Sequence, residues 1–373
     1  MHIADRMKLM QASGIRKVFD LGATLKAPVN LSIGQPHFDV SDTAKEAAIK
    51  AIREGKNGYT PAQGIAPLRD KVSEWFKKRG IKHESAMVTC GASGALTLAI
   101  MATIGPGDEV LMADPYFVSY KQLTYAAGGT PVYFSTYPSF VPDPTEVEAK
   151  ITPRTRAIIL NSPNNPTGAL YPKTVITSIA KIAAKHGITI ISDEVYDCFY
   201  YEGEPFSPGT LQSDVITING MSKSASMTGW RLGFVCGNKA VIEEMIKLQQ
   251  VTFVNAPTPV QYAALAVLND DVSYKREEYR KRRDIVVNGL KGTYKLNVPQ
   301  GAFYVFPEVP VPNMTAMDFC MKAVEKNLLI VPGNAFSERD TNFRISYANT
   351  EEMLRQGVKI LLDLAKELRA KGK

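Results

Sequence analysis

The chain has 373 residues, 45% of them hydrophobic and 22% charged, with a formal net charge of +7. Such a length supports a large buried core in about two domains, and the composition excludes a disordered protein. Lysines and arginines are scattered along amphipathic segments instead of forming a basic block, which argues against nucleic-acid binding and leaves room for a site that takes phosphates or carboxylates.

The first residues, "MHIADRMKLMQASGIRKVF", carry charges inside their apolar stretch and lack the core of a signal peptide. From about residue 41, helical and strand patterns alternate, which predicts an α/β fold with a largely parallel sheet flanked by helices. "SDTAKEAAIKAIREG" (41–55) has Thr43 and Glu46 at capping-box spacing and stops at Gly55. The next helix starts at Pro67, places Leu68, Val72, Trp75 and Phe76 on one face, and ends at Gly80. Short apolar runs at 86–90, 109–113, 130–134, 156–161, 188–192, 214–218 and 231–236 read as strands. Most are separated by helix-length crossovers. The Pro-rich stretch "YPSFVPDPTEVEAK" (137–150) reads as a surface loop. After about residue 270 come a long, strongly charged helix "SYKREEYRKRRDIVVNGL", a strand in "AFYVFP", a helix near 315–327, short strands around 328–331 and 343–347, and a last helix from 350. This predicts a smaller α+β domain over 271–373 beside a large domain over 41–270, with 1–40 as an N-terminal arm that joins the small domain. No apolar run is long enough for a membrane-spanning helix. The four cysteines, Cys90, Cys198, Cys236 and Cys320, form no C-x-x-C pair, so neither a disulfide framework nor a zinc site is expected, and a reducing cytoplasm is the expected compartment.

Ligands of such sheets bind beyond the carboxyl ends of the strands, and polar features cluster there. "TCGASGAL" (89–96) opens a helix with small residues, as a phosphate cup would, although a plain Gly/Ser turn fits as well. "DPYFVSY" (114–120) offers aromatics that could stack on a flat ring, with core packing the alternative. "NSPNNPTG" (161–168) is an irregular loop whose Asn165 could orient a ligand oxygen. Asp193 in "SDEVYDCFY" follows a strand and could be a helix cap or the counter-ion of a cationic ring nitrogen. "NGMSKSASMTGWRLGF" (219–234) sets Lys223 among small residues, with Arg231 eight positions on. A desolvated lysine next to cations can act as a nucleophile toward carbonyls. Together these groups match what pyridoxal phosphate needs from a protein.

In these blocks, above all "GMSKSASMTGWRLG", "NNPTG" and "DEVY", the chain resembles class I aminotransferases of the fold-type I pyridoxal-phosphate enzymes over nearly its whole length. The resemblance implies that Lys223 forms the aldimine with the cofactor and then carries the proton in a ping-pong transamination between an L-amino acid and a 2-oxo acid, 2-oxoglutarate or pyruvate. It implies that Asp193 pairs with the pyridinium, that Asn165 and Tyr196 hydrogen-bond the ring's 3′-oxygen, and that Phe117 stacks on the ring. Gly91, Ala92, Ser93 and Arg231 would hold the phosphate, with Ser222 nearby. Tyr59 would reach the phosphate of a neighbouring subunit in a homodimer with shared active sites. Gly34 would approach the substrate carboxylate and Arg344 would grip it. Two positions depart from the pattern: Gly220 stands where many relatives have a hydroxyl, and Ser93 stands where dicarboxylate and prephenate transaminases have a lysine, so strict aspartate specificity is not expected. "QASGIRKVFDL" (11–21) resembles the broad-specificity branch.

Two other functions remain open on sequence. A carbon–sulfur lyase would share the lysine and the cofactor but eliminate a β-substituent. A non-enzymatic regulator would need a DNA-binding module, for which the chain shows no segment. "SIAK" (178–181) sits within a helical pattern and reads as structural, and the histidines, His37 included, have no metal-ligand spacing.

Overall fold

The structure, a computed structural model, describes residues 2–10 and 25–371; the segment 11–21 singled out above lies outside them. In chain order the strands are Val29–Asn30 (β1), Ser85–Cys90 (β2), Glu109–Asp114 (β3), Thr130–Ser135 (β4), Thr155–Asn161 (β5), Thr189–Asp193 (β6), Val215–Gly220 (β7), Leu232–Gly237 (β8), Tyr304–Val305 (β9), Leu328–Leu329 (β10), Val331–Pro332 (β11) and Phe343–Ser346 (β12). β2 to β8 form one sheet in the order β2-β8-β7-β6-β5-β3-β4. All its strands run parallel except β8, which is antiparallel to both β2 and β7. The fold is thus α/β, with a mostly parallel sheet flanked by helices, as the alternating pattern predicts.

The strands read as continuous apolar runs because both faces of the sheet are covered. Consecutive residues point to opposite sides. Ile159, Ile191 and Ile216 join a core under the helices Gly91–Thr103 and Lys239–Thr252, while Ile158, Ile190 and Val215 join the core under Lys173–His186. At the β2 edge, Phe234 packs its ring edge-on to Trp75 and Phe76 of the helix Ala66–Lys78, at 5.2 and 5.6 Å between centroids.

The C-terminal elements carry their own antiparallel sheet, β11-β12-β9, and β1 pairs in parallel with β10. Val29 and Leu31 therefore share a core with Phe303, Phe319 and Phe343. Two local expectations are corrected. The helix read over 41–55 is Asp42–Arg53, capped by Ser41, whose Oγ accepts from the Ala44 N–H; Ser41 is extended while Thr43 is already helical, so the capping-box spacing at Thr43 is coincidental. The stretch 137–150 is not all loop, because Asp143 caps a short helix Pro144–Ala149. The "SIAK" residues lie within the helix Lys173–His186, as expected. All four cysteines are free. Among the described residues no group of side chains is arranged to hold a metal ion, and no helix is long and apolar enough to cross a membrane.

Replacing Phe234 by Ala should lower the stability of the cofactor-free protein by about 3–5 kcal/mol, the usual range for emptying a buried aromatic site. Urea unfolding followed by circular dichroism would show this as a lower midpoint.

Candidate active site

The carboxyl edge of the sheet gathers the polar residues named from sequence. β6 ends at Asp193, β5 ends at Asn161 before the loop holding Asn165, and β7 runs into a single helical turn, Met221–Ser224, that carries Lys223. β8 runs the other way, so Arg231, just before its first residue, arrives at the same edge. Arg344 comes from β12 in the C-terminal sheet, and Gly34 from the loop after β1. Lys223, Asp193, Asn165, Tyr196 and Arg344 line one cavity of about 330 Å³, together with Ala92, Ser93, Phe117, Ser222, Arg231 and Gly34.

Two of the expected residues lie outside its wall. Gly91 sits behind Arg231: a Cβ placed on Gly91 would come 2.7 Å from the arginine Nη2, and φ there is +73°. Glycine is required at this point because the guanidinium rests on the first turn of the helix Gly91–Thr103. Tyr59 is far more exposed, at 88%, and touches no part of the cavity in a single chain.

Lys223 Nζ donates to the carbonyl oxygen of Gly34 at 2.7 Å and lies 5.7 Å from the centre of the Tyr196 ring. Burial lowers its pKa to about 8, helped by the positive charges of Arg344 and Arg231 and opposed by Asp193. The Asp193 carboxyl shifts the other way, raised by burial against the hydrogen bonds that favour its charge. Its Oδ2 accepts from Tyr120 Oη at 2.7 Å and its Oδ1 from the Val195 N–H at 3.4 Å, while Asn161 holds its backbone carbonyl. Among the described residues no cation lies within ion-pair distance of it.

Arg344 is 2% exposed. Its Nη1 donates to Asn165 Oδ1 at 3.0 Å and its Nη2 to the Ser32 carbonyl at 2.8 Å, while the rings of Tyr304 and Phe336 each lie 4.5 Å from its guanidinium carbon. Its Nε is buried without a partner. Tyr196 and Tyr304 share a hydrogen bond at 2.8 Å, and a Cβ on Gly34 would come 2.5 Å from the Tyr304 hydroxyl. The chain approach at 34 thus needs glycine.

Gly220 has a local explanation. It pairs with Gly233 across the β7–β8 ladder, and a Cβ on it would sit 3.0 Å from both the Gly233 Cα and the Leu232 oxygen. A Cβ on Gly233 would in turn clash with the Ala92 N–H and the Gly91 carbonyl. Three backbones meet here without side chains between them, which leaves no open space for a hydroxyl at 220.

Sequence reading missed Tyr120 as the hydroxyl that faces Asp193, and also Tyr304, Ser32 and Asn161. Tyr120 and Tyr304 lie in aromatic runs that read as core, and Ser32 acts through its backbone carbonyl, which leaves no trace in residue type. His37 lies outside the cavity, its backbone N–H bonded to Tyr279.

The donor set fits pyridoxal phosphate on its own terms. A helix N-terminus with Ser93 and a guanidinium suits a phosphate dianion. A buried carboxylate without a cation suits a protonated ring nitrogen, and a lysine with a lowered pKa suits an aldehyde.

Comparison with known proteins agrees. Residues 26–361 match the family described as aminotransferase class I and II. A probable aspartate aminotransferase of Methanocaldococcus jannaschii is 40% identical, over 97% of this chain and 99% of its own. An aspartate/prephenate aminotransferase of Thermus thermophilus is 39% identical, over 88% of this chain and 89% of its own. The solved structure of an aspartate aminotransferase from Thermus thermophilus with maleate superposes with a TM-score of 0.94 at 37% identity, covering 98% of this chain and all of that one. The chain belongs to the class I aminotransferases of the fold-type I pyridoxal-phosphate enzymes, and it is a pyridoxal-phosphate-dependent aminotransferase.

Proposed function

We propose that this enzyme moves the amino group of an L-amino acid to 2-oxoglutarate or pyruvate, with Lys223 as the residue that carries the cofactor and the proton. The observation behind this reading is the meeting of Lys223, Asp193 and Arg344 in one cavity. Bound pyridoxal phosphate supplies the electron sink for the pair left behind when a proton leaves the substrate Cα. Asp193 would keep the ring nitrogen protonated, with Tyr120 and the Val195 N–H holding the carboxylate in position. Asn165 and Tyr196 would orient the ring's 3′-oxygen, Phe117 would cover one face of the ring, and Ala92, Ser93, Ser222 and Arg231 would hold the phosphate. The unpartnered Nε of Arg344 and its flat mounting between two rings suit a substrate carboxylate. With the cofactor bound, Lys223 Nζ would be the base within reach of the substrate Cα proton.

We also infer a homodimer. The loop carrying Tyr59 is tied down by Thr258 Oγ1 donating to the Gly58 carbonyl at 2.8 Å and by Gln261 Nε2 donating to Thr60 Oγ1 at 3.0 Å, yet its ring stands in solvent. Val251, Phe253 and Val254 are exposed too, and Phe253 reaches the first turn of the helix Gly91–Thr103 near Gly94. A fixed, exposed aromatic and an apolar patch next to the phosphate end suit a second copy whose cofactor Tyr59 reaches. The division into 1–40, 41–270 and 271–373 is our reading of the domains, supported by the β1–β10 pairing, and free cysteines support a cytoplasmic enzyme.

Stopped-flow half-reactions with single amino acids should convert the absorbance of lysine-bound cofactor to that of the pyridoxamine form, and 2-oxoglutarate or pyruvate should reverse the change. Release of ammonia and pyruvate from cystathionine without an added acceptor would instead indicate a lyase. Lys223→Ala should bind the cofactor yet show no lysine-bound absorbance and no turnover.

A neutral amine is needed to capture the cofactor's aldehyde. A pKa near 8 in place of 10.5 leaves about a tenth of Lys223 neutral at pH 7, against about 0.03% for an ordinary lysine. The rate of reconstitution of cofactor-free protein should rise with pH through about 8 and then level off. A rise that continues to pH 10 would place the amine in water.

Val251→Glu should shift the dimer toward monomer in sedimentation velocity and cut activity with it. Tyr59→Phe should leave the dimer intact but weaken cofactor retention.

A further inference from the structure

A second lysine lies close behind the first. Lys275, in the first turn of the helix Ser273–Leu290, is 5% exposed. Its Nζ donates to the Ser224 carbonyl at 3.0 Å and to Ser226 Oγ at 3.1 Å. Among the described residues no carboxylate lies within 4 Å of it, and its other neighbours are the rings of Phe38 and Tyr274, at 5.7 and 5.9 Å. A buried ammonium that has given up water needs acceptors, and here the acceptors are the residues that follow Lys223.

Ser224 ends the single turn Met221–Ser224, so its carbonyl has no partner further along a helix. One turn of helix is unstable by itself. The chain leaves it through Ser226 at φ +60°, a left-handed conformation that is unfavourable for a residue with a Cβ. Lys275 holds both groups: the last carbonyl of the turn and the hydroxyl of the strained residue.

The same helix face fixes the other side of Lys223. Tyr279, four residues after Lys275, accepts the His37 N–H at 3.0 Å and packs its ring edge-on to Phe38 at 5.4 Å. That loop carries Gly34, whose carbonyl takes the hydrogen bond from Lys223. One helical face therefore mounts the turn behind the amine and the loop in front of it.

We propose that Lys275 is a positioning residue: its ammonium holds the turn Met221–Ser224 and Ser226 so that Lys223 Nζ is kept buried and aimed at the reacting carbon. This rests on the role of Lys223 given above. It acts without touching substrate or cofactor.

The test uses the holoenzyme of Lys275→Met and Lys275→Arg, with hydrogen–deuterium exchange on their cofactor-free forms. Lys275→Met should retain a full complement of cofactor and the lysine-bound absorbance. The pH midpoint of that absorbance should move upward by about half a unit or more, since water reaching Nζ in its cofactor-bound form favours its protonated, charged state. The half-reaction rate constant should fall about tenfold or more while KM for the amino acid changes less than threefold. Lys275→Arg should restore the rate to within about threefold. In the cofactor-free Met variant, the segment 221–227 should exchange faster. An unchanged midpoint, a rate within twofold of the parent, or unchanged exchange in that segment would overturn the proposal. If Lys275→Met does not fold, Ser226→Ala removes one of the two acceptors and should move the midpoint and the rate in the same direction by less; a parent-like Ser226→Ala would then overturn it. Parent protein that binds cofactor without any lysine-bound absorbance would refute the role of Lys223 itself. The exchange experiment would still decide whether Lys275 holds the turn.

Discussion

The site depends on one electrostatic constraint: at one edge of a sheet a part-buried amine, Lys223, faces a buried guanidinium and a buried carboxylate, Arg344 and Asp193, with the second guanidinium, Arg231, exposed at the rim. Lys223 alone, buried, would lose its proton at little cost. Two arginines would push it further, and Asp193 pulls back, with the outcome near pH 8. Removing Arg344, Asp193 or Arg231 would change the pKa of Lys223, so the amine answers to all three. The Asp193 carboxyl, raised by the same burial, is left wanting the positive charge that a protonated pyridine brings. The cofactor completes the charge balance of the cavity.

Holding those charges in register requires a rigid frame, and the frame is made where backbones touch. At Gly220, Gly233 and Gly91 three chain segments approach with no side chain between them. This fixes the start of the phosphate helix against β8, hence against Arg231. Reversal of β8 within an otherwise parallel sheet has the same effect, because it brings the beginning of a strand, with its arginine, to the edge where the other strands end. Gly220 then follows from packing: a Cβ there would sit 3.0 Å from the Gly233 Cα and the Leu232 oxygen, so the ladder favours glycine at this position.

The fold was largely legible because its signals are redundant. The central strands β3, β5 and β6 are runs of mostly buried apolar residues, and each of the seven runs read from sequence forms a strand of the large sheet. Helix ends were less so: Thr43 and Glu46 have the right spacing, but the cap lies two residues earlier at Ser41. The site divides in the same way. Asp193, Asn165 and Lys223 stand out as polar residues after strands, whereas Arg344 and Tyr59 became visible only through resemblance, since an arginine in a strand and a tyrosine in a loop have many ordinary uses. Tyr120 and Tyr304 were hidden by their neighbours, being hydroxyls on rings that otherwise pack like core. Hydrogen bonds from Arg344 and Lys223 to the carbonyls of Ser32 and Gly34 could not be read at all, because every residue has a carbonyl.

The charged helix Ser273–Leu290 shows why charge alone misleads. Its sequence reads as a solvated surface, yet Lys275, Arg282 and Arg283 are buried along it. Long side chains can pack their stems on apolar rings while the charged end seeks acceptors. For Lys275 these are the Ser224 carbonyl and Ser226 hydroxyl, and for Arg283 they include the Pro299 carbonyl at 3.0 Å. A cation bonded to a neutral carbonyl keeps its full charge and its directionality without neutralising a partner, and such bonds contribute about 1.5–3 kcal/mol. A helix that makes them binds to loop and turn backbones whatever their side chains. This is the attachment that the end of the turn after Lys223 requires, because Met221 anchors only its start in the core while the small residues beyond it have little side chain to pack.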